Sequence, residues 1–292
     1  MPKDVVLWSL LNVLIVILTS CSHSSSKNRG SSTENEQLSI ENSITIIGQP
    51  NTDGSEPPII KNSSDSSFII CKPAPLAHIS EQLIEKSSYI LSYNIDTKCP
   101  NWVAWHLTAE HTDGPIGRLS NFHEDEDVPA PRATLADYRK SGWSRGHMCP
   151  AGDNKWDEQA MYESFALTNV CPQNSSLNSG LWNSVEMDCR KWAKKYGDIY
   201  IVCGPLFLNK EHETIGINKV VVPEAFFKVV LCLNGKPKAF GIIIRNTEGN
   251  KKRDLYYNSV DQVERITGID FFPALPDDIE SKVEAEANIK DW

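Results

Sequence analysis

The chain has 292 residues, enough for one large domain or two small ones, and carries a formal net charge of −9. That charge argues against a protein that is basic over its whole surface and binds nucleic acid through it. Most of the excess acid lies before residue 71 and after residue 276, so the central segment is nearly neutral and a locally basic cleft is not excluded.

The first twenty residues resemble an export signal. Lys3 precedes an apolar run at residues 5–18, which is short for a bilayer span and typical of the hydrophobic region of a signal peptide. The run ends in Leu-Thr-Ser-Cys, which resembles a bacterial lipobox. We therefore predict a lipoprotein signal peptide at residues 1–20, lipidation of Cys21, and a bacterial membrane-anchored protein on the periplasmic or cell-surface face. A plain secretory signal is the alternative, and it also implies export.

Three further segments follow from composition. Residues 21–70 are rich in serine and lack a sustained apolar period, which predicts a flexible tether between the membrane and the domain. Residues 71–276 are predicted to form a single domain. Residues 277–292 are predicted to be an acidic C-terminal tail, which forms an exposed helix or frays.

Seven cysteines follow Cys21 in the chain. An exported chain meets an oxidising compartment, so we expect some of them to form disulfides, and an odd number leaves at least one unpaired within the chain. The sequence does not show which ones pair. No C-x-x-C pair and no histidine pair with zinc-ligand spacing occurs, which argues against a structural zinc site.

The predicted domain begins with a short helix at residues 80–86. Apolar and aromatic runs at 89–95 and 102–107 flank a turn-like segment and predict a β-hairpin. Further strands are predicted at residues 165–170, 199–203, 226–233 and 239–244, the last two joined by a hairpin turn at Asn234 and Gly235.

Two helices are predicted in the second half of the domain. Apolar residues recur with a 3.6-residue period over residues 181–196. A second helix at residues 259–266 opens with Ser259 and has Gln262 three residues later, which is the pattern of a capping box.

One short segment combines a fixed positive charge with a titratable base, because Arg145 and His147 flank Gly146. A histidine with an ordinary pKa of about 6.5 can accept a proton from water near pH 7. A guanidinium group matches phosphate oxygens at two points. Considered alone, His147 is better explained as an ordinary surface or core histidine.

A second polar set lies downstream and includes Asn178, Trp182 and Glu186, whose spacing predicts one helix face. Singly, Asn178 is better explained as a helix N-cap and Glu186 as a solvated charge. Together, and close to Asn169 and Gln173, they form an environment of hard oxygen atoms that suits Mg²⁺. A base, a cation and a metal site are the components that phosphodiester hydrolysis requires.

The order of these motifs resembles the DNA/RNA non-specific endonuclease family, which includes mitochondrial endonuclease G and secreted bacterial nucleases. The resemblance runs from about residue 89 to residue 276. It is carried by Arg145-Gly-His147 with Pro150, Ala151 and Asp153, by Asn169-Val-Cys-Pro-Gln173, by Leu177-Asn-Ser-Gly-Leu-Trp182 with Val185 and Glu186, and by Cys203-Gly-Pro-Leu-Phe207, Val222-Pro-Glu-Ala-Phe-Phe-Lys228 and Thr267-Gly-Ile-Asp-Phe-Phe-Pro273.

The resemblance implies an α+β fold with a ββα-metal (His-Me finger) nuclease core on a central, mainly antiparallel β-sheet with flanking helices. It implies an endonuclease that cuts DNA and RNA with little sequence preference and leaves 5′-phosphate ends. Mg²⁺ would be the cofactor, with Mn²⁺ as a substitute.

The resemblance also assigns roles. His147 would be the general base, Asn178 the direct metal ligand, and Glu186 the holder of metal-bound water. Arg145 would stabilise the transition state, and Asn169 and Gln173 would support the site.

Three positions depart from the family pattern or match it loosely. Arg118 best matches an arginine that the family places upstream, with Arg132 as competitor and a surface salt bridge as the alternative role. Ser144 stands where the family has an acidic residue, so a charge that would orient Arg145 is missing. Phe165 stands where some members have a polar residue, and we predict it to be in the core.

Two other functions are compatible with the sequence. One is a surface lipoprotein that binds nucleic acid without cleaving it, which Ser144 and the acidic charge would favour. The other is a phosphodiesterase with a narrower substrate range. The sequence leaves a homodimer open.

Overall fold

The computed structural model describes residues 45–47, 59–61, 68–287 and 289–292. The predicted signal peptide, Cys21 and most of the predicted tether lie outside these residues. Inside the tether, strands β1 (Thr45–Ile47) and β2 (Ile59–Lys61) form a short antiparallel pair. In the part of the chain that the structure describes, no helix is both long and apolar enough to cross a bilayer.

A seven-stranded antiparallel sheet lies at the centre of the domain. The strands after β2 are β3 (Gln82–Glu85), β4 (Ile90–Asn94), β5 (Cys99–Thr108), β6 (Ser144–His147), β7 (Val170–Gln173), β8 (Asp198–Leu206), β9 (Thr214–Ile215), β10 (Val220–Val221), β11 (Ala225–Cys232), β12 (Lys238–Arg245) and β13 (Tyr257–Asn258). The sheet has the order β13-β12-β11-β8-β5-β4-β3, while β6 pairs with β7 and β9 with β10. The central antiparallel sheet implied by the family resemblance is therefore present.

The helices lie on both sides of this sheet. They are α1 (Leu135–Tyr138), α2 (Glu158–Ser164), α3 (Ser175–Leu177), α4 (Asn183–Tyr196), α5 (Val260–Thr267) and α6 (Asp277–Ala285). A π-helical turn (Asn178–Trp182) joins α3 to α4, and 3₁₀ turns occur at Glu110–Thr112, Ala151–Asp153, Leu167–Asn169, Arg253–Leu255 and Ile289–Asp291. The predicted capping box of α5 is confirmed, since Ser259 and Gln262 each accept a hydrogen bond from the other's backbone N–H.

The sheet separates two hydrophobic cores because neighbouring side chains of a strand point to opposite faces. Phe226 and Phe227 on β11 are both fully buried, but Phe226 packs in the core that contains Val185 of α4. Phe227 packs in the other core, with Val263 of α5 and Phe271. Burying each ring stabilises the fold by about 1.5–3 kcal/mol. The domain is therefore a three-layer sandwich with α4 on one face and α5 and α6 on the other.

The hairpins and long helices follow the sequence predictions. The β4–β5 and β11–β12 pairs are antiparallel hairpins, and Gly235 adopts the positive φ of 75° that its turn requires. Helix α4 covers most of the predicted residues 181–196. These elements have strong local periodicity, which is why sequence alone finds them.

The predicted helix at residues 80–86 is wrong, because this segment forms strand β3 at the sheet edge. Ile84 is buried while Leu83 and Glu85 are exposed, an alternation typical of a strand with one buried face. Pairing with β4 gives this short segment hydrogen bonds that a single isolated helical turn would not have.

The predicted strand at residues 165–170 is also wrong for most of its length. Phe165 ends α2, the 3₁₀ turn Leu167–Asn169 follows, and β7 begins only at Val170. The turn is fixed by the Asn169 side chain, whose amide bonds to backbone atoms of two other segments. A side chain that captures distant backbone groups overrides the β propensity of the local sequence.

The C-terminal segment is part of the fold rather than an exposed helix or a frayed tail. Helix α6 buries Val283 and Glu284. The ring of Trp292 lies 4.9 Å from Phe240 and 5.0 Å from Trp192, measured between centroids. These contacts place the acidic end of the chain against the domain.

The expected disulfides are absent, since all seven cysteines between Cys71 and Cys232 are free and buried. They act as small core side chains, with Cys71 on one face of the sheet and the other six on the opposite face. Burial raises the pKa of the Cys189 thiol to about 12 and that of Cys203 to about 11, so both stay protonated at neutral pH.

Candidate active site

Strands β6 and β7 and the helical segment that follows them form a ββα unit on the α4 face of the sheet. The register pairs Arg145 with Pro172, and His147 with Val170. Leu177 and Val185 bury their side chains in the same core as Val170, which joins the helical part to the strands. This is the unit that the family resemblance implies.

Gly146 is required by the close approach of Gln173 across the strand pair. A Cβ atom at position 146 would lie 2.6 Å from the Cβ atom of Gln173, and closer still to its amide oxygen. Gln173 is fully buried, so its side chain has no room to move away. The glycine therefore lets one short strand carry both Arg145 and His147, with the Gln173 side chain packed against its backbone.

Asn169 fixes the chain just after His147. Its Oδ1 accepts a hydrogen bond from the Cys149 backbone N–H at 2.9 Å, and its Nδ2 donates to the Cys149 and Ser164 carbonyl oxygens, both at 2.8 Å. Each such bond contributes about 1 kcal/mol, and leaving a buried partner unbonded costs more. Asn169 is therefore a positioning residue for the catalytic segment.

Asp153 fixes the other end of the same segment. Its Oδ1 accepts a hydrogen bond from Nη1 of Arg190 on α4 at 2.8 Å, and its Oδ2 accepts one from Nε1 of Trp105 on β5 at 3.1 Å. The Asp153 side chain is 1% exposed. The sequence motif contains Asp153, but its partners lie far away in the chain, so this role was missed.

His147 lies between two phenylalanine rings. The centroids of Phe122 and Phe165 are each 4.9 Å from that of the imidazole. Burial, followed by the charges of Arg118 and Arg145, lowers the pKa of His147 to about 3. The ring is therefore neutral at pH 7, and its Nε2 is buried without a hydrogen-bond partner. Phe165 is in the core, as predicted, but its contact with His147 was not foreseen.

Arg118 and Arg145 each lie over a phenylalanine ring that contacts His147, and both arginines line an open cleft. The Arg145 guanidinium carbon is 4.5 Å from the Phe122 centroid, and that of Arg118 is 5.5 Å from the Phe165 centroid. Both line a cleft of about 610 Å³ together with Arg139 and Asn178. A chain of net negative charge thus contains a locally basic cleft. Arg139 lines this cleft as well, and it was not identified from the sequence.

Arg118 and Arg132 occupy different surroundings. Arg132 donates from Nε to Glu124 at 3.2 Å and from Nη1 to the Val128 carbonyl oxygen at 3.0 Å. These bonds place it in a surface salt bridge, whereas Arg118 lines the cleft. Of the two arginines, only Arg118 lies where it could reach a phosphate bound in the cleft.

Asn178 lines the cleft and is not the N-cap of a helix. Asn174 performs the capping, with its Oδ1 accepting from the Ser176 and Leu177 backbone N–H groups at 3.0 and 3.2 Å. The π-helical turn from Asn178 departs from helical geometry at Gly180, where φ is −101° and ψ is −106°. This turn interrupts the i, i+4 spacing predicted between Asn178 and Trp182, whereas Trp182 and Glu186 lie in regular helical geometry at the start of α4. Such turns are frequent at functional sites.

Glu186 occupies a site where burial opposes its charge. Burial raises its pKa to about 7 and Asp153 adds to this effect, while Lys228, Arg190 and Arg118 act in the opposite direction. Lys228 is fully buried, with Nζ 4.6 Å from the Trp182 centroid and 4.8 Å from the Trp105 centroid. Arg118 thus interacts electrostatically with both His147 and Glu186, which joins the two halves of the predicted site.

Comparisons with known proteins identify the family of the chain. The model of the DNA/RNA non-specific endonuclease family matches residues 67–278. The chain is 39% identical over 206 residues to the mitochondrial Nuclease EXOG of Danio rerio, covering 65% of this chain and 60% of that protein. It is 35% identical over 207 residues to the mitochondrial Endonuclease G of Bos taurus, covering 66% and 69%, and 38% identical over 213 residues to Nuclease C1 of Cunninghamella echinulata var. echinulata, covering 67% and 84%.

A solved structure shows the same fold. It is a crystal structure of an EndoG/EndoGI complex, and it matches with a TM-score of 0.63 and 31% identity over 67% of this chain and 87% of that chain. The match with Nuclease EXOG spans about three fifths of that protein's length. On the family match and the ββα geometry together, the chain belongs to the DNA/RNA non-specific endonuclease family.

Proposed function

We propose that the chain is a metal-dependent endonuclease that hydrolyses phosphodiester bonds of DNA and RNA with little sequence preference. The observation that carries the proposal is a neutral His147, with an unpartnered Nε2, beside a cleft lined by Arg118 and Arg145. Arginines at such a cleft would bind phosphate oxygens, and phosphate contacts carry no sequence information. Membership of the family supports the same activity.

The donor atoms near the cleft fit Mg²⁺, with Mn²⁺ as a substitute. The amide oxygen of Asn178 and the carboxylate of Glu186 are hard oxygen donors, and Mg²⁺ takes one or two such groups while keeping several waters. Asn178 would hold the ion directly and Glu186 through bound water. Burial raises the pKa of Glu186 to about 7. A further positive charge close to this carboxyl would stabilise its ionised form. The ion would supply stabilisation of the charge that develops on the phosphate and on the leaving 3′-oxygen.

His147 acts as the general base. Its Nε2 accepts a proton from the attacking water, whose oxygen forms the new bond to phosphorus as the bond to the 3′-oxygen breaks. Burial, followed by the charges of Arg118 and Arg145, keeps the imidazole neutral in the free protein. A bound phosphate offsets these two charges, which raises the proton affinity of His147 when substrate is present. The 3′-oxygen takes up a proton from solvent water as it leaves, so the products carry a 5′-phosphate and a 3′-hydroxyl.

Arg145 binds the phosphate that is attacked. Its guanidinium is exposed at the cleft and rests on the Phe122 ring, which restricts its orientation. Two parallel hydrogen bonds to phosphate oxygens would become stronger as negative charge accumulates in the transition state. Arg118 contributes a second positive charge from the other side of His147.

Export and membrane anchoring are part of the proposal. The lipobox-like Leu-Thr-Ser-Cys sequence supports lipidation at Cys21 on a bacterial membrane, although this segment lies outside the described residues. Labelling of expressing cells with a radioactive fatty acid should mark the wild-type chain and not Cys21→Ala. Labelling of both, or of neither, would contradict the lipoprotein assignment.

The activity itself is tested with the full chain on plasmid DNA and on total RNA, with Mg²⁺ and with EDTA. Both substrates should be degraded to short fragments in Mg²⁺ and left intact in EDTA, and the fragments should be ligated without prior phosphorylation. Binding in EDTA without any turnover in Mg²⁺ would favour the non-cleaving lipoprotein. Cleavage of only one substrate among single-stranded DNA, duplex DNA and RNA would favour the narrower phosphodiesterase.

A further inference from the structure

A group of acidic side chains lies on the face of the sheet opposite the cleft. Asp261 and Glu264 belong to α5, and Glu284 belongs to α6. One carboxylate oxygen from each residue lies within 4.8 Å of the other two. The three carboxylates therefore converge on one point between two helices.

Glu284 differs from the acidic residues of an ordinary surface cluster because it is buried. The residue is 6% exposed, and its buried Oε1 has no hydrogen-bond partner. A carboxylate oxygen removed from water without a partner is costly, so such atoms in native proteins commonly mark a bound water or ion.

The charges that act most strongly on Glu284 are all negative. They are those of Glu264, Glu280, Asp270 and Asp261, in decreasing order. Lys282, on the same helix, pairs instead with Asp278 at 3.8 Å. The cluster is therefore an accumulation of negative charge between the two helices.

The spacing of the oxygens indicates which cation fits. Oxygen ligands lie about 2.3–2.6 Å from Ca²⁺ and about 2.0–2.1 Å from Mg²⁺. Two ligands of one ion are therefore at most about 5 Å apart for Ca²⁺ and about 4.2 Å apart for Mg²⁺. The carboxylate oxygens lie within 4.8 Å of one another, which is inside the Ca²⁺ limit.

We propose that Asp261, Glu264 and Glu284 form a second divalent cation site, which binds Ca²⁺ and joins α5 to α6. Glu264 also accepts a hydrogen bond from the Phe271 backbone N–H at 2.8 Å. An ion here would thus stabilise both helices and the segment between them that fills the core beneath the sheet. The site is structural, and it is separated by the sheet from the cleft at which Asn178 lies.

The test is Ca²⁺ titration by calorimetry of the full chain after EDTA treatment, in an Asn178→Ala background that removes the cleft ligand. One Ca²⁺ site should remain in Asn178→Ala. Adding Glu284→Gln should weaken Ca²⁺ binding by about tenfold or more, because one of three ligand charges is lost. Adding Glu286→Gln should leave it unchanged, since Glu286 is an exposed residue at the end of the same helix.

Melting temperature gives a second measurement. Ca²⁺ should raise the melting temperature of Asn178→Ala and of its Glu286→Gln derivative, but not of the Glu284→Gln derivative, and Mg²⁺ should act more weakly than Ca²⁺. Asp261→Asn, at a half-exposed position, should weaken Ca²⁺ binding as Glu284→Gln does. Equal Ca²⁺ binding by the Glu284→Gln and Glu286→Gln derivatives, or no Ca²⁺ bound by Asn178→Ala, would overturn the proposal.

Discussion

The guanidinium of Arg145 lies over the ring of Phe122, with its central carbon 4.5 Å from the ring centroid. The same ring contacts the imidazole of His147 at 4.9 Å. The family resemblance implies an acidic residue at position 144 that would orient this arginine, and the chain has Ser144 there. Phe122 orients Arg145 by a cation–π contact, worth about 0.5–2 kcal/mol, in place of an ion pair.

The first prediction concerns this ring. Phe122→Leu should lower kcat on both DNA and RNA by about tenfold, because Arg145 and His147 both lose a positioning contact. Phe207→Leu is the matched control, since Phe207 packs on His212 and does not line the cleft. Steady-state kinetics with melting temperatures would measure this, and equal kcat values for the two folded variants would show that Phe122 does not position the site.

The second prediction concerns pH. The pKa of Glu186 is raised to about 7 mainly by burial, so this carboxyl is protonated below pH 7 and ionised above it. The pKa of His147 is lowered to about 3, so the imidazole stays neutral over the usual assay range. At low Mg²⁺ concentrations, kcat/KM should therefore fall as pH decreases through about 7, and Glu186→Gln should remove this dependence while lowering the rate. If the acidic limb is the same in Glu186→Gln, another group controls it.

The third prediction separates two asparagines on neighbouring turns. Asn178→Ala should raise the Mg²⁺ concentration required for half-maximal activity by about tenfold or more, because it removes a direct ligand. Asn174→Ala should cost about 1 kcal/mol of stability through the lost helix cap and leave the Mg²⁺ requirement unchanged. An unaltered Mg²⁺ requirement in Asn178→Ala would remove this residue from the metal site.

The fourth prediction concerns the anchor of the catalytic segment. Asp153→Ala should lower the free energy of unfolding by about 3–5 kcal/mol, because it leaves Arg190 and Trp105 without their partner. Asp113→Ala breaks the exposed pair with Lys194, where the Asp113 side chain is 67% exposed, and should cost less than about 1 kcal/mol. Urea unfolding followed by tryptophan fluorescence distinguishes the two, and similar costs would contradict the anchoring role of Asp153.

The sequence predicts the regular parts of the fold and misses parts that depend on distant contacts. Strands β8, β11 and β12 and helices α4 and α5 have strong local patterns, and they occur where predicted. Strand β3 was missed because only its pairing with β4 defines it. The disulfide expectation failed because it rested on the compartment and the number of cysteines, whereas all seven are small side chains of the two cores.

The residues of the candidate site also fall into those that the sequence predicts and those that depend on distant contacts. Arg145, His147 and Asn178 were predicted because their motifs are short and ordered along the chain. Phe122 and Arg139 contribute from an upstream segment whose folding against β6 is set by tertiary packing. Glu186 was predicted, but its charged neighbours, the buried Lys228 and the partly exposed Arg190, have no local sequence pattern that connects them to it.

The most direct test of the account is the rate at which full-length His147→Ala cleaves plasmid DNA and RNA at saturating Mg²⁺, compared with the wild-type chain. Loss of a general base should reduce both rates by about 10²–10⁴-fold. Because the imidazole is packed between Phe122 and Phe165, the melting temperature of the variant must be measured alongside the rates. A folded His147→Ala that cleaves both substrates as fast as the wild type would contradict the assignment of His147 as the base.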